Sequence, residues 1–211
     1  MELADILNSI RDEIDADDQI REKVLPLSRT AVRKCSESIK MTHKKEFAKA
    51  KALVEEAHDI ITAAMSEMPD STFVSKSKAM DIAYQELTEA ANVLSLIEYG
   101  KYTPPEKYQI PSRPYLNGLA DVIGELRRSS LDSLRHDDVN KAEQLLNLME
   151  EVLEALQSFD YPNALVPDLR RKCDVGRALV ERTRGDLTRA VGQSRLVKEL
   201  ADFEKRISEN E

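Results

Sequence analysis

The sequence predicts an all-α protein, and three observations support this prediction. Only six of the 211 residues are glycine and 5% are aromatic, whereas 41% are hydrophobic and 33% are charged, a composition typical of helical proteins. Apolar residues recur at helical spacing along most of the chain. No segment has a convincing strand alternation. We therefore predict about seven mostly antiparallel helices in one domain spanning residues 1–211, with a polar tail from about residue 206.

The first part of the chain predicts two or three helices. Apolar residues at helical spacing indicate a first helix over Leu3–Asp15, followed by a helical segment from Gln19 to about His43. The second segment either starts anew after a group of aspartates or continues the first helix, and Pro26 predicts a kink or boundary within it. The next helix is predicted over Phe47–Met68, where a Pro-Asp-Ser sequence ends it.

Two further helices flank a proline-rich connector. The first runs from Phe73 to about Tyr99, and Gly100 follows in the position that favours a left-handed backbone. Residues 101–111 contain too many prolines for a helix. The second helix begins near Pro114 and ends at about Leu134, and its middle has small or apolar residues on most sides, so we expect it to be enclosed.

The remaining residues predict two long helices. Asp137 and Asp138 precede a helix with a regular leucine and methionine seam over Lys141–Leu156, which resembles a coiled coil and suggests subunit association. A turn then leads into an arginine-rich helix over Asp168–Ile207.

The distribution of charge suggests a surface for phosphate groups. The net charge of −8 argues against a generic nucleic-acid binder, but eight basic residues face only two glutamates between Arg29 and Lys51. Five of them fall near one helix stripe and are our candidates for RNA binding: Arg29, Arg33, Lys40, Lys44 and Lys51. The alternative is an ordinary solvated helix face.

The sequence contains no pattern typical of a membrane-spanning segment, a signal peptide or a cysteine metal site. No apolar run is long enough to span a membrane, and the acidic amino terminus does not resemble a signal peptide. Cys35 and Cys173 belong to no metal-binding spacing. We expect a cytoplasmic protein with two free thiols and no membrane partner.

Two pairs of acidic residues occur where helix patterning predicts burial. Glu86 and Glu89 fall on the apolar stripe of their helix, marked by Ile82, Val93, Leu96 and Ile97. Carboxylates three residues apart share a helix face and are costly to desolvate without a cation between them. Asp121 and Glu125 share a face of the enclosed helix, and Gly118 one turn earlier allows close approach.

Hard oxygen ligands of this kind suit Mg²⁺ or Mn²⁺ rather than zinc. Divalent cations held by carboxylates polarise phosphodiesters and acidify water for their hydrolysis. Ordinary surface carboxylates remain the alternative for each pair taken alone. A di-iron site is set aside because its Glu-x-x-His spacing occurs once, at Glu55 and His58.

At these residues the sequence resembles the translin superfamily, most closely its factor X branch (TRAX). The segment Tyr115–Arg128, YLNGLADVIGELRR, is similar to the family signature Y-L-x-G-[VI]-x-D-[LI]-x-G-E-L-x-R. The segment Gln85–Ala90, QELTEA, is similar to the Q-E-x-x-E-A of factor X. Weaker similarities cover Leu27–His43 and Lys172–Glu181. Together these matches span most of the chain in the family's order.

The resemblance implies a seven-helix fold that assembles into a hollow, roughly octameric barrel. It also implies a Mg²⁺-dependent endoribonuclease, with Mn²⁺ as a substitute, in which Glu86, Glu89 and Asp121 are catalytic and hold the metal with Glu125 as a fourth acidic neighbour. Single-stranded or short duplex RNA is the expected partner, with single-stranded DNA as a further ligand. The chain lacks the long connector insertion of animal factor X, which suggests an archaeal-type homo-oligomer.

Two other functions remain open on the sequence alone. One is a translin-like nucleic-acid-binding oligomer without catalysis. The other is a helical interaction protein whose acidic pairs lie on its surface.

Overall fold

The computed structural model describes residues 2–66 and 78–208, with only the backbone described at residues 78 and 79. These residues form six α-helices and no strand, so the predicted all-α class is confirmed. The helices are α1 (Leu3–His43), α2 (Phe47–Ser66), α3 (Lys78–Tyr99), α4 (Ser112–Arg135), α5 (Val139–Gln157) and α6 (Leu169–Ser208). The predicted end of the second helix at Met68 and the predicted start of the third at Phe73 lie outside the described residues.

Helix α1 is continuous, so of the two alternatives the single long helix is correct. Pro26 lies inside it, although proline removes one backbone hydrogen bond from a helix interior. Val24 and Ser28 on either side of Pro26 are buried, and Thr30 Oγ1 donates to the Pro26 carbonyl oxygen at 2.8 Å. Burial of the flanking turns therefore holds this helix together across the proline.

The chain divides into two compact units, Met1–Leu119 and Ala120–Glu211, and the division falls within α4. In the first unit α1, α2 and α3 pack on one another. The side chains of Ala31, Cys35, Val54 and Ala57 are at most 1% exposed. Ser38 Oγ donates to the Ala50 carbonyl oxygen at 2.8 Å, which ties α1 to α2 near their connecting turn.

The connector between α3 and α4 is held by polar contacts within the first unit. It contains one short 3₁₀ turn, Pro105–Tyr108, whereas the sequence predicted no helical residues there. The fully buried Asn92 of α3 accepts from the Thr103 amide at 3.0 Å, and the Tyr115 hydroxyl of α4 donates to the Thr103 carbonyl at 2.7 Å. Gly100 has a φ of +66°, as its predicted position after α3 requires.

The second unit contains most of α4 together with α5 and α6. Asp138 caps α5 as predicted, because its Oδ1 accepts from the Lys141 amide at 3.0 Å. Arg127 of α4 donates to Asp186 at 3.0 Å and to the Thr183 hydroxyl at 2.6 Å, both on α6. These contacts join α4 to α6.

The seam of α5 faces the core of its own chain. All seven of its apolar residues are buried: Ala142, Leu145, Leu146, Met149, Val152, Leu153 and Leu156. The interpretation of this seam as a subunit contact is therefore wrong, because the protomer itself covers it. Exposed apolar residues occur instead at the far ends of the longest helices, namely Leu3, Ile6, Leu7, Ile10 and Ile14 on α1 and Leu196, Val197, Leu200, Phe203 and Ile207 on α6.

Among the helices of the described residues, none combines the length and apolar character that crossing a membrane requires.

Candidate metal and RNA site

Glu86 and Glu89 are held on one face of α3, between its core and solvent. Both are partly buried, while Ala83, Leu87 and Ala90 around them are fully buried. The predicted stripe is wrong at its start, because Ile82 is 50% exposed. Val93 and Leu96 of this stripe are buried, and the core of α3 also includes Leu87 and Leu94.

The buried thiol of Cys35 on α1 is affected by the charges of the two glutamates. Cys35 lies on the buried face of α1, and its pKa is raised well above the usual range, first by burial and then by the negative charges of Glu86 and Glu89. Both carboxylates therefore lie close enough to this part of α1 for their charges to act on the thiol.

Gly118 brings the start of α4 against α3 beside these glutamates. A Cβ atom at position 118 would lie 2.5 Å from the carbonyl oxygen of Gln85 and 2.6 Å from Cβ of Thr88. Gln85 and Thr88 directly precede Glu86 and Glu89 in the chain. Only glycine permits this approach, as the sequence predicted for a close helix contact.

Asp121 follows Gly118 by three residues on the same continuous helix. Within the second unit, its two carboxylate oxygens both lie 2.5 Å from Nζ of Lys172 on α6. The side chains of Lys172 and Asp121 are 14% and 29% exposed. Glu125 lies one turn further and is 3.6 Å from Arg128 Nη1.

The side chains in the described part of the chain form no group of three or more His, Cys, Asp or Glu that could hold a metal ion. The donor chemistry nevertheless fits Mg²⁺ or Mn²⁺, since every predicted ligand is a carboxylate. Lys172 also supplies evidence that Asp121 attracts a cation, because its ammonium group contacts both carboxylate oxygens. Sequence reasoning missed Lys172, although it lies in one of the matched family segments.

The five predicted RNA-binding residues are all exposed, but they do not share one helix. Three lie on one face of α1, Lys44 follows the end of α1, and Lys51 lies on α2. The prediction of one continuous stripe is wrong because Lys45, with a φ of +62°, turns the chain between the two helices. The basic surface on α1 comprises Arg29, Arg33 and Lys40.

Glu55 and His58, which form the one Glu-x-x-His spacing in the sequence, have a structural role. Glu55 accepts a hydrogen bond from the Tyr108 hydroxyl at 2.9 Å, and the rings of His58 and Tyr108 lie 5.2 Å apart. The pKa of Tyr108 is raised by burial and then by this bond to Glu55. Glu55 and His58 thus anchor the connector to α2.

Comparisons with known sequences place this geometry in a family. The model of the translin family matches residues 2–183. An uncharacterized protein of Methanocaldococcus jannaschii is 32% identical over 199 residues, covering 93% of this chain and 87% of that protein.

Solved structures show the same fold. The chain is similar to AfC3PO in its duplex RNA complex, with a TM-score of 0.78 and 30% identity over 89% of this chain and 97% of that one. It is equally similar to a second structure, the crystal structure of AfC3PO, with a TM-score of 0.78 and 31% identity over the same shares of the two chains. Apo-NeC3PO, at 19% identity and a TM-score of 0.76 over 87% of this chain and 96% of that one, shows the fold alone.

Proposed function

The chain belongs to the translin family, and from this premise we propose that it is an RNA-binding oligomer that cuts RNA phosphodiesters with the help of Mg²⁺. Its similarity to AfC3PO, which has been solved with duplex RNA, supports RNA as the ligand. The exposed apolar residues at the ends of α1 and α6 support assembly. We propose a homo-octameric barrel with RNA on its inner surface.

We assign Glu86, Glu89 and Asp121 as the metal ligands, with Glu125 as their acidic neighbour. The observation that carries this assignment is the contact of Gly118 with Gln85 and Thr88. This contact brings Gly118 against the residues that directly precede the two glutamates, and Asp121 follows Gly118 by three residues in the chain.

Each residue has a distinct task in the proposed reaction. Glu86 and Glu89 concentrate negative charge on one partly buried helix face, which attracts a divalent cation. Asp121 adds a carboxylate from a second helix, although the ammonium group of Lys172 contacts both of its oxygens and would compete with the cation for them. When bound, Mg²⁺ would polarise the phosphoryl group and acidify a nearby water. The basic surface on α1 would bind the phosphate backbone.

A cleavage assay tests this proposal. Single-stranded and duplex RNA should be cut with Mg²⁺ or Mn²⁺ and not with EDTA, and Glu89→Gln or Asp121→Asn should lower the rate by at least about a hundredfold. Asp81→Asn on α3 and Asp132→Asn on α4 are matched controls and should cut normally. Metal-dependent cutting that survives both site substitutions would remove the assigned site.

The second candidate is a nucleic-acid-binding oligomer without catalysis. It is favoured by the ion pair of Asp121 with Lys172 and by the fact that no metal-holding group forms among the described side chains. RNA binding without cutting under any metal condition would establish this function instead.

A further inference from the structure

A cavity of about 1000 Å³ lies in the second unit, away from the acidic residues, where α5 ends and α6 begins. The predicted arginine-rich start of α6 forms one wall through Arg170, Arg171 and Arg177. The loop after α5 forms the other wall with Phe159 and Tyr161. None of these residues has a role in the function proposed above.

The cavity presents aromatic rings to solvent. Phe159 is 41% and Tyr161 is 61% exposed, in a chain with few aromatic residues. Their ring centroids lie 6.2 Å apart and their planes meet at 50°. The two rings are therefore tilted and not stacked face to face. Exposed rings beside a basic wall are typical of surfaces that stack unpaired nucleic-acid bases.

The basic wall suits a phosphate group. Arg171 is 3.7 Å from Asp168 and Arg177 is 3.1 Å from Asp174, while Arg170 forms neither an ion pair nor a hydrogen bond with any side chain in the described part of the molecule. Two of the three lining arginines are thus paired with aspartates, which leaves Arg170 as the arginine of this wall that can bind a phosphate.

The loop that carries the rings is ordered by its own hydrogen bonds. Asn163 Oδ1 accepts from the Asp168 amide at 3.2 Å, and the Leu165 amide donates to the Pro162 carbonyl at 2.8 Å. These bonds fix the loop that carries the rings relative to the first turn of α6, where Leu169 is buried. A preformed wall of this kind lowers the entropic cost of binding.

From these observations we propose that the cavity binds an unpaired nucleotide of an RNA strand, with its base stacked on Tyr161 or Phe159 and its phosphate bound by Arg170. This inference rests on the proposed RNA binding. A base inside a duplex is already stacked and paired, so the site selects single-stranded ends. The volume is at the upper end of the range for small-ligand sites and accommodates one nucleotide with its flanking phosphates.

The test compares two RNAs in binding experiments with the full-length protein in EDTA, which prevents cutting. One is a blunt duplex and the other is the same duplex with a short single-stranded overhang. Tyr161→Ala should raise the Kd for the overhang RNA about tenfold and leave the Kd for the blunt duplex unchanged. Arg170→Gln should lower the slope of log K against log salt for the overhang RNA by about 0.7.

Matched controls are Tyr99→Ala in the first unit and Arg135→Gln in the second unit, because both side chains are exposed and lie outside the cavity. Thermal melting curves monitored by circular dichroism should show that every variant folds. An equal Kd for wild type and both cavity variants, or an equal loss on both RNAs, would overturn the inference. If wild type binds neither RNA, the proposed function itself fails.

Two further readouts identify the ligand. Loss of uridine monophosphate binding in Tyr161→Ala, without any change for the overhang RNA, would overturn the assignment to an RNA strand. A change of oligomeric mass in light scattering, without any change in RNA binding, would show that the cavity is a subunit contact and would also overturn it.

Discussion

Lys172 places its ammonium nitrogen 2.5 Å from both carboxylate oxygens of Asp121. The two residues come from α6 and α4, and both side chains are largely shielded from solvent. A cation therefore already contacts the carboxylate that we assign to the metal, and a divalent ion at Asp121 must share it with Lys172.

Removal of this ammonium group should strengthen metal binding. Lys172→Met keeps the length of the side chain but removes a positive charge that repels a second cation. We expect the Kd for Mn²⁺, measured by titration calorimetry, to fall about tenfold, while Asp121→Asn should weaken binding by a similar factor or more. An unchanged or higher Kd in Lys172→Met would contradict the competition described here.

Gly118 should be intolerant of even one added methyl group. In Gly118→Ala the new Cβ meets backbone and Cβ atoms of α3 at 2.5 and 2.6 Å, so α4 must shift away from Glu86 and Glu89. We expect a loss of about 1–3 kcal/mol in the free energy of unfolding and a large fall in cleavage rate.

Gly124→Ala is the matched control for this substitution. It lies on the same helix, and its Cβ would meet nothing within 4 Å. Because alanine favours helix over glycine, this variant should be stabilised by up to about 1 kcal/mol. If chemical denaturation shows equal effects at the two positions, the close helix contact is not what requires glycine.

Cys35 should make the protein less stable in alkaline solution. Its thiol has a raised pKa in the folded state, caused first by burial and then by Glu86 and Glu89, whereas in the unfolded chain it ionises near pH 8.5. The unfolded state then binds fewer protons above that pH, so stability falls as pH rises.

Between about pH 7 and pH 10, this single group should lower the free energy of unfolding by about 2 kcal/mol. In Cys35→Ala the free energy of unfolding should fall by about 2 kcal/mol less over the same pH range. Urea denaturation at each pH measures this difference. Identical pH dependence in the two proteins would show that the thiol is not held neutral by its surroundings.

The basic surface on α1 should contribute a salt-dependent part of RNA binding. Replacing Arg29, Arg33 and Lys40 by glutamine removes up to three phosphate contacts, and each lost contact should lower the slope of log K against log salt by about 0.7–0.9. The control replaces Arg11, Arg21 and Lys23, which lie on the first half of the same helix and are also exposed. Equal slopes for the two triple variants would place the RNA elsewhere.

Local patterns predicted the helices well, because their ends are determined by nearby residues. Gly100 with its positive φ and Asp138 with its capping bond lie where the sequence placed them. Pro26 was ambiguous, since the burial of neighbouring turns that keeps α1 continuous depends on distant residues. The same limit applies to the α5 seam, whose spacing fits a coiled coil and an internal core equally well.

The candidate site was predictable in part. Helix periodicity placed Glu86 and Glu89 on one partly buried face, and Gly118 indicated a close helix approach. The sequence could not reveal that Lys172 binds Asp121, because the two residues are 51 positions apart and no local spacing links them. The cavity beside Tyr161 was hidden for the same reason, since two elements form its walls.

The most direct test of the proposed metal site is a crystal of the protein soaked with Mn²⁺ and measured for anomalous scattering. We predict a peak within about 2.0–2.6 Å of carboxylate oxygens from Glu86, Glu89 and Asp121. A well-diffracting crystal with no peak there, or with its strongest peak at Glu55 and His58, would contradict the central claim.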